Sequence, residues 1–386
     1  MSYRKFRADY LFTGYRLLDN QYVLITNEQG EVQQIVPHQT AGENVEQFSG
    51  ILCPGFINCH CHLELSHMKG VIPTGAGMLG FLLAVIRQRQ FPKEQILQAI
   101  ADAELQMLHN GIVAVGDICN TTDTITQKRQ GRLYYHNFIE ATGFIEATAA
   151  QRFDDAKKTF QQFGEQYSLP VESNSIVPHA PYSVSPALFQ LIQQFPGNHL
   201  LTMHSQESEA ENEFFLKGSG DFLKLYEGLK LDISFFRPPG NSSLQNCLPY
   251  FYPNQSIILV HNGHISAEDI SAIHYAQLTT HFCLCPNANV YIGNRLPDID
   301  LLRRTNASIV MGTDSLASNH QLSIVAELKT LQQHFPHISL TELLQWATIN
   351  GAKALELDSL LGSFEPGKQP GVAVVDESFD SVKRLL

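Results

Sequence analysis

From residue 51 onward, short runs of β-branched and aromatic residues alternate with stretches of helical periodicity, and no other feature constrains the fold as much. The runs are FINCH (56 to 60), IVAVGD (112 to 117), LYYHNFIE (133 to 140), NSIVPH (174 to 179), HLLTMH (199 to 204), SIILVH (256 to 261), HFCLC (281 to 285) and ASIVMGTD (307 to 314). Between them lie KEQILQAIADAELQMLHN, closed by Gly111, then SPALFQLIQQF, SAEDISAIHYAQ and QLSIVAELKTLQQHF. Strands that alternate with helices pair in parallel, and eight such units predict a closed (β/α)8 TIM barrel over residues 51–358. Ser339 and Glu342 have capping-box spacing, which opens a further helix.

Two segments fall outside this alternation. Residues 1–50 read as short strands and turns (YVLITNEQGEVQQIV), and EPGKQPGVAVVD in residues 359–386 offers one more strand after a Pro/Gly turn. We expect both chain ends to meet in a small β-sandwich domain beside the barrel. The connection 205–255 is unusually long and carries FF twice, at 214 and 235, and long connections with this many aromatics suit a lid over the barrel mouth.

Charge narrows the class of partner. There are 26 basic and 38 acidic residues, a net of −12 with no basic block, which argues against nucleic acid and anionic membrane and for a small-molecule substrate. The apolar stretch MLGFLLAVI (78 to 86) is far too short to span a bilayer, and the first residues hold no apolar run of signal-peptide length, so a cytoplasmic protein is expected. Seven cysteines, two pairs of them spaced C-x-C, make a poor disulfide framework and read as reduced, buried thiols. A homodimer is left open as the assembly.

The chemistry concentrates at the ends of the runs. In NCHCHLELSH, side chains on a strand alternate between faces, so His60 and His62 share one face and Cys59 and Cys61 the other. Two histidines alone fit hydrogen-bonded core residues as well as ligands. The other runs end in His204, His261 and Asp314, so imidazoles and a carboxylate converge where barrel enzymes keep their active sites. Three histidines and an aspartate around an open position suit a catalytic zinc-like ion.

PGFINCHCH, HSQE (204 to 207), LVHNGH (259 to 264) and MGTDS (311 to 315), in this order, resemble the amidohydrolase superfamily, specifically its mononuclear metal-dependent deaminase branch of cytosine, guanine and adenosine-type deaminases. The resemblance covers about residue 10 to 376. It implies that His60, His62, His204 and Asp314 bind one divalent metal, that Glu207 shuttles a proton to a ring nitrogen, and that His261 holds the attacking water or the developing oxyanion. Asp314 is placed to take the water's proton. Relatives with two metals carry a lysine at the end of the third or fourth strand, and FIEATG and IVPHAP have none. A single ion follows, zinc with iron as the alternative.

The sub-pattern PGFINCHCHLELSHMKG with RPPGNSSL is most similar to aminodeoxyfutalosine deaminases of menaquinone biosynthesis. That implies a substrate in which an adenine nucleoside carries a benzoate; its carboxylate needs a cationic partner, and Arg237 and Arg295 read either as that partner or as surface arginines. Glu64 and Ser66 either touch a substrate hydroxyl or amine or brace the first strand. His179 faces the same mouth, as a substrate contact or a hydrogen-bonded support, and Asn289 falls in a loop near the site, in contact with substrate or bracing that loop. Rival readings are another amidohydrolase reaction, on a different base or nucleoside, an imidazolone or a halotriazine, or a non-catalytic scaffold. His62 and Glu64 match the H-x-E of the cytidine-deaminase fold, but its P-C-x-x-C is absent, and no H-E-x-x-H occurs.

Overall fold

All eight expected strands form in the computed structural model, which describes residues 2–166, 173–293 and 295–386. β1 (Phe56–Cys61), β2 (Ile112–Cys119), β3 (Tyr134–Ala141) and β4 (Ser173–Pro178) make one parallel sheet in sequential order. β5 (Leu200–Ser205), β6 (Ser256–His261), β7 (Thr279–Leu284) and β8 (Ser308–Met311) make a second. The sheets meet at both edges. At one, the His204 amide donates to the His179 carbonyl at 2.9 Å; at the other, Cys61 bridges Asp314, and the amides of Thr313 and Asp314 both donate to the His60 carbonyl at 3.0 Å.

β8 stops three residues short of the expected end, and beyond it the chain stays against β1 through the Cys61–Asp314 bridge, with Asp314 in a left-handed backbone (φ 55°). Gly312 makes the approach to β1 feasible. A Cβ there would lie 2.8 Å from Cys283 Sγ and 2.9 Å from His60 Cβ.

The helices follow their caps. Lys93–His109 ends before Gly111 (φ +74°), Pro186–Gln193 is capped by Ser185, and Ile324–His334 by Ser323. Ser266 with Asp269, and Ser339 with Glu342, form complete capping boxes. The helix Ala149–Gln166 fills the gap between β3 and β4, with Ala149, Phe153, Ala156 and Phe163 as its buried points. The seven cysteines are free and buried. Among the described residues no helix is long and apolar enough to cross a membrane.

The chain ends share a five-stranded sheet in which Ala373–Val375 pairs with Ile51–Cys53, and Ile51–Cys53 with Tyr10–Phe12. A four-stranded sheet from residues 3–47 contributes Phe6 and Leu24 to the same apolar cluster as Leu11, Leu52 and Val374. The 205–255 segment is helical, with Glu209–Lys217, Asp221–Gly228 and Ser243–Cys247. Its rings pack among themselves and onto the strand ends: Phe214 stacks on Phe236 with centroids 4.2 Å apart, and Phe144, after β3, stacks on Tyr226 at 5.0 Å.

Candidate metal centre and active site

His60 sits in β1, and His62 is the first residue beyond it, at the entry to a 3-10 turn over Leu63–Met68. Their rings meet edge to face at 4.9 Å, and the His204 ring from β5 lies 4.8 Å from His60. His62 Nε2 and His204 Nε2 face each other at 3.3 Å, and Asp314 Oδ1 lies 3.4 Å from His62 Nε2 and 3.6 Å from His60 Nε2. One donor atom from each of these four buried residues falls within 4.8 Å of all the others.

This donor set fits a divalent ion. Burial lowers the pKa of His62 to about 3 and holds those of His60 and His204 below the ordinary value, so the rings are neutral and offer lone pairs. His204 Nδ1 donates to the His179 carbonyl at 3.0 Å, which leaves Nε2 unprotonated toward the centre. Among the described residues neither ring nitrogen of His60 has a hydrogen-bond partner, and buried polar atoms left so are costly unless something else binds them.

Glu207 and His261 approach the same point. His261 Nε2 lies 3.7 Å from Glu207 Oε1 and has no hydrogen-bond partner among the described residues, while its Nδ1 is 2.9 Å from Asn289 Oδ1. His261 (φ 74°) and Asp314 (φ 55°) are both left-handed, a conformation that costs free energy in non-glycine residues and clusters at functional sites. Burial raises the pKa of Glu207 above its ordinary value, which favours a carboxyl that carries a proton. A cavity of about 260 Å³ opens onto this group and is lined by His62, His179, His204, Glu207, His261 and Asp314, among others.

A model of the amidohydrolase family matches residues 51–384. The chain belongs to the amidohydrolase family. An adenosine deaminase of Helicobacter pylori is 26% identical to it over 347 residues, 88% of this chain and 82% of that protein. An aminodeoxyfutalosine deaminase of Nitratiruptor is 27% identical over 339 residues, 85% and 79% of the two chains. Among solved structures, Helicobacter pylori aminofutalosine deaminase in complex with methylthio-coformycin matches with a TM-score of 0.81 at 23% identity, over 97% of this chain and 92% of that one. An adenosine deaminase from Xanthomonas campestris with bound zinc matches with a TM-score of 0.71 at 19% identity, over 97% and 84%. These structures share the fold.

In this amidohydrolase several residues singled out by sequence stand apart from the cavity. Ser66 Oγ turns back to the Leu63 carbonyl at 2.7 Å. Glu64 is consumed as a brace: one oxygen accepts from the Asn120 and Thr121 amides and the Thr121 hydroxyl at 2.9 to 3.0 Å, the other from Arg89. Asn289 lies within the helix Pro286–Ile292 rather than a loop, and its amide is spent on His261 and on the Arg295 carbonyl. Arg237 is exposed, donates to the Ser234 and Phe236 carbonyls, and lines a separate aromatic cavity. Arg295 is exposed and outside the cavity lining. His179 does line the cavity and pairs through Nδ1 with Ser183 Oγ at 2.6 Å.

Other lining residues had no motif to announce them. Glu140, next to last in β3, has one oxygen held by Asn120 Nδ2 at 3.1 Å, and burial raises its pKa to about 7. Arg89 and the apolar face of the helix Gly77–Gln88 form another wall. That face was legible as a stripe three and four residues apart, within a segment whose length excluded only a bilayer span.

Proposed function

We propose that this amidohydrolase deaminates adenine nucleosides with one divalent ion, zinc or alternatively iron, held by His60, His62, His204 and Asp314. The observation that carries the reading is the convergence of that four-residue donor set with Glu207 and His261 in one cavity. Relatives named for adenosine and aminodeoxyfutalosine deamination support the substrate class.

When bound, the ion supplies a water whose pKa falls from about 16 toward about 7. Glu207 gives a proton to N1 of the adenine ring, which makes C6 electrophilic. As the C6–O bond forms, Asp314 takes one proton from the water and His261 Nε2 orients its oxygen by accepting a hydrogen bond from the remaining O–H. The 6-amino group then gains the proton held by Asp314, the C6–N6 bond breaks as the C6 hydroxyl returns its proton to Glu207, and ammonia and the 6-oxo nucleoside leave. His179 contacts the substrate from the β4 side, whereas Glu64, Ser66 and Asn289 support the residues that do.

The scaffold reading goes with it. The hydrogen bonds at both sheet edges support a closed (β/α)8 barrel, and the apolar cluster shared by the two terminal sheets supports a small β-sandwich domain. We assign residues 1–50 and 359–386 to that domain, 51–358 to the barrel and 205–255 to a lid, in a cytoplasmic protein with no nucleic-acid or membrane partner and with a homodimer as its assembly. Aminodeoxyfutalosine is the proposed physiological substrate.

The test is loss of adenine absorbance with ammonia assayed in parallel, using zinc-loaded protein and a panel of aminodeoxyfutalosine, adenosine, S-adenosylhomocysteine, cytosine and guanine. Turnover confined to the adenine nucleosides is expected. Turnover of cytosine or guanine alone would overturn the substrate class, and no ammonia from any of the five would overturn the deaminase reading.

A further inference from the structure

The wall facing the metal centre is chemically two-part. Met78, Phe81, Leu82, Val85 and Ile86 line the cavity from one face of the helix Gly77–Gln88, at positions three and four apart, and Arg89 closes that stripe at the helix C-cap. Met78 is the one buried residue of this helix, and Ile86 is 49% exposed. A half-open apolar stripe beside a polar site is satisfied when a ligand with an apolar segment covers it.

Arg89 is the one Lys or Arg side chain among the described lining residues, which otherwise include the acids Glu140, Glu207 and Asp314. Its Nη2 lies 3.2 Å from Glu64 Oε1, and among the described residues this is its one side-chain hydrogen bond. Because Glu64 is fixed from behind by Thr121 and the Asn120 amide, Arg89 is tethered at one nitrogen. The remaining guanidinium donors are preorganised at a face 32% exposed.

We infer that Arg89 is the specificity-determining residue for the 5′ end of the substrate, selecting adenine nucleosides whose 5′ substituent is apolar along its length and ends in a carboxylate. The inference rests on the deaminase reading above. The purine sits at the metal end, the 5′ substituent runs along the Met78 to Ile86 stripe, and the carboxylate forms a forked pair with Arg89. Arg237 and Arg295 take no part.

The probes are 5′-S-(carboxybutyl)-5′-thioadenosine and its methyl ester, which share purine, sugar and chain and differ in the terminal charge. The wild-type enzyme is expected to favour the acid over the ester in kcat/KM by about tenfold or more, the scale of a charge-assisted hydrogen bond. Arg89→Met brings the ratio close to one through KM, Arg89→Lys falls between because it keeps the charge but not the fork, and Arg237→Met and Arg295→Met keep the wild-type ratio. Metal content and melting temperature are compared for each variant, and Arg89→Lys preserves the tether to Glu64 should Arg89→Met lose stability. A wild-type ratio near one, a ratio unchanged in Arg89→Met, or a ratio lost in Arg237→Met overturns the assignment while leaving the deaminase reading intact. Failure of the wild type to release ammonia from acid, ester and adenosine alike overturns both.

Discussion

Asn289 Oδ1 accepts from His261 Nδ1 at 2.9 Å, and both side chains are buried. Because Asn289 Nδ2 is committed to the Arg295 carbonyl at 3.0 Å, the oxygen is the atom that faces His261, which puts the ring proton on Nδ1 and the lone pair on Nε2. Asn289→Leu removes that choice of tautomer and is expected to lower kcat by about tenfold or more with unchanged metal content. Asn289→Asp keeps an acceptor and should retain more activity than Asn289→Leu. Steady-state kinetics with metal analysis decides it, and full kcat in Asn289→Leu would remove Asn289 from the mechanism.

Ser318 Oγ donates to Asp314 Oδ2 at 2.6 Å, so one oxygen is held and Oδ1 is left toward His60 and His62. Ser318→Ala frees the carboxylate to rotate. The expected result is a loss of about 10 to 100-fold in metal affinity or kcat, read by competition with a chelator and by kinetics, as for other groups that orient ligands. Equal metal affinity and kcat in the variant would rule this out.

A second support reaches His62 from the interior. Asp117 Oδ1 accepts from the Leu63 amide at 2.8 Å, and Asp117 Oδ2 pairs with Lys128 Nζ at 2.6 Å, with both side chains fully buried. Lys128→Met strands a buried carboxylate and is expected to cost about 3 to 5 kcal/mol. The double change Asp117→Asn, Lys128→Met leaves no unpaired charge and still offers an acceptor to Leu63, so it should recover much of that loss. Urea unfolding of the three proteins gives the answer; a double variant no more stable than Lys128→Met alone would contradict it.

His136 supplies a pH-dependent contribution to stability. Its ring is buried, with Nε2 3.0 Å from Ser175 Oγ and Nδ1 without a hydrogen-bond partner among the described residues, and burial lowers its pKa to about 3. The unfolded chain takes up this proton near pH 6.5 and the folded chain near 3, so between those values the unfolded state binds more protons and stability falls as pH falls. The slope is on the order of 1.4 kcal/mol per pH unit for one such group. The stability of wild type minus that of His136→Gln, read from unfolding, should therefore fall between pH 7 and pH 5, by about 2 kcal/mol. A wild-type-minus-variant difference that rises on acidification would show that His136 is protonated in the folded state.

Strand and helix periodicity, caps and the strand-end histidines are local properties, so the sequence by itself determined the eight parallel strands, the capping box at Ser339 and the four residues whose donor atoms converge. Each depends on neighbours within a few positions or on a motif carried whole in one segment. Which polar side chains face the cavity depends on partners far away in the chain. Glu64 is withdrawn by Arg89, Asn120 and Thr121, Asn289 by His261, and Arg237 by carbonyls of its own loop, while Arg89 and Glu140 are brought in without any motif. Only the tertiary structure decided these, because a buried hydrogen-bonding group goes to whichever partner the packed fold places within reach, and sequence spacing carries no record of that distance.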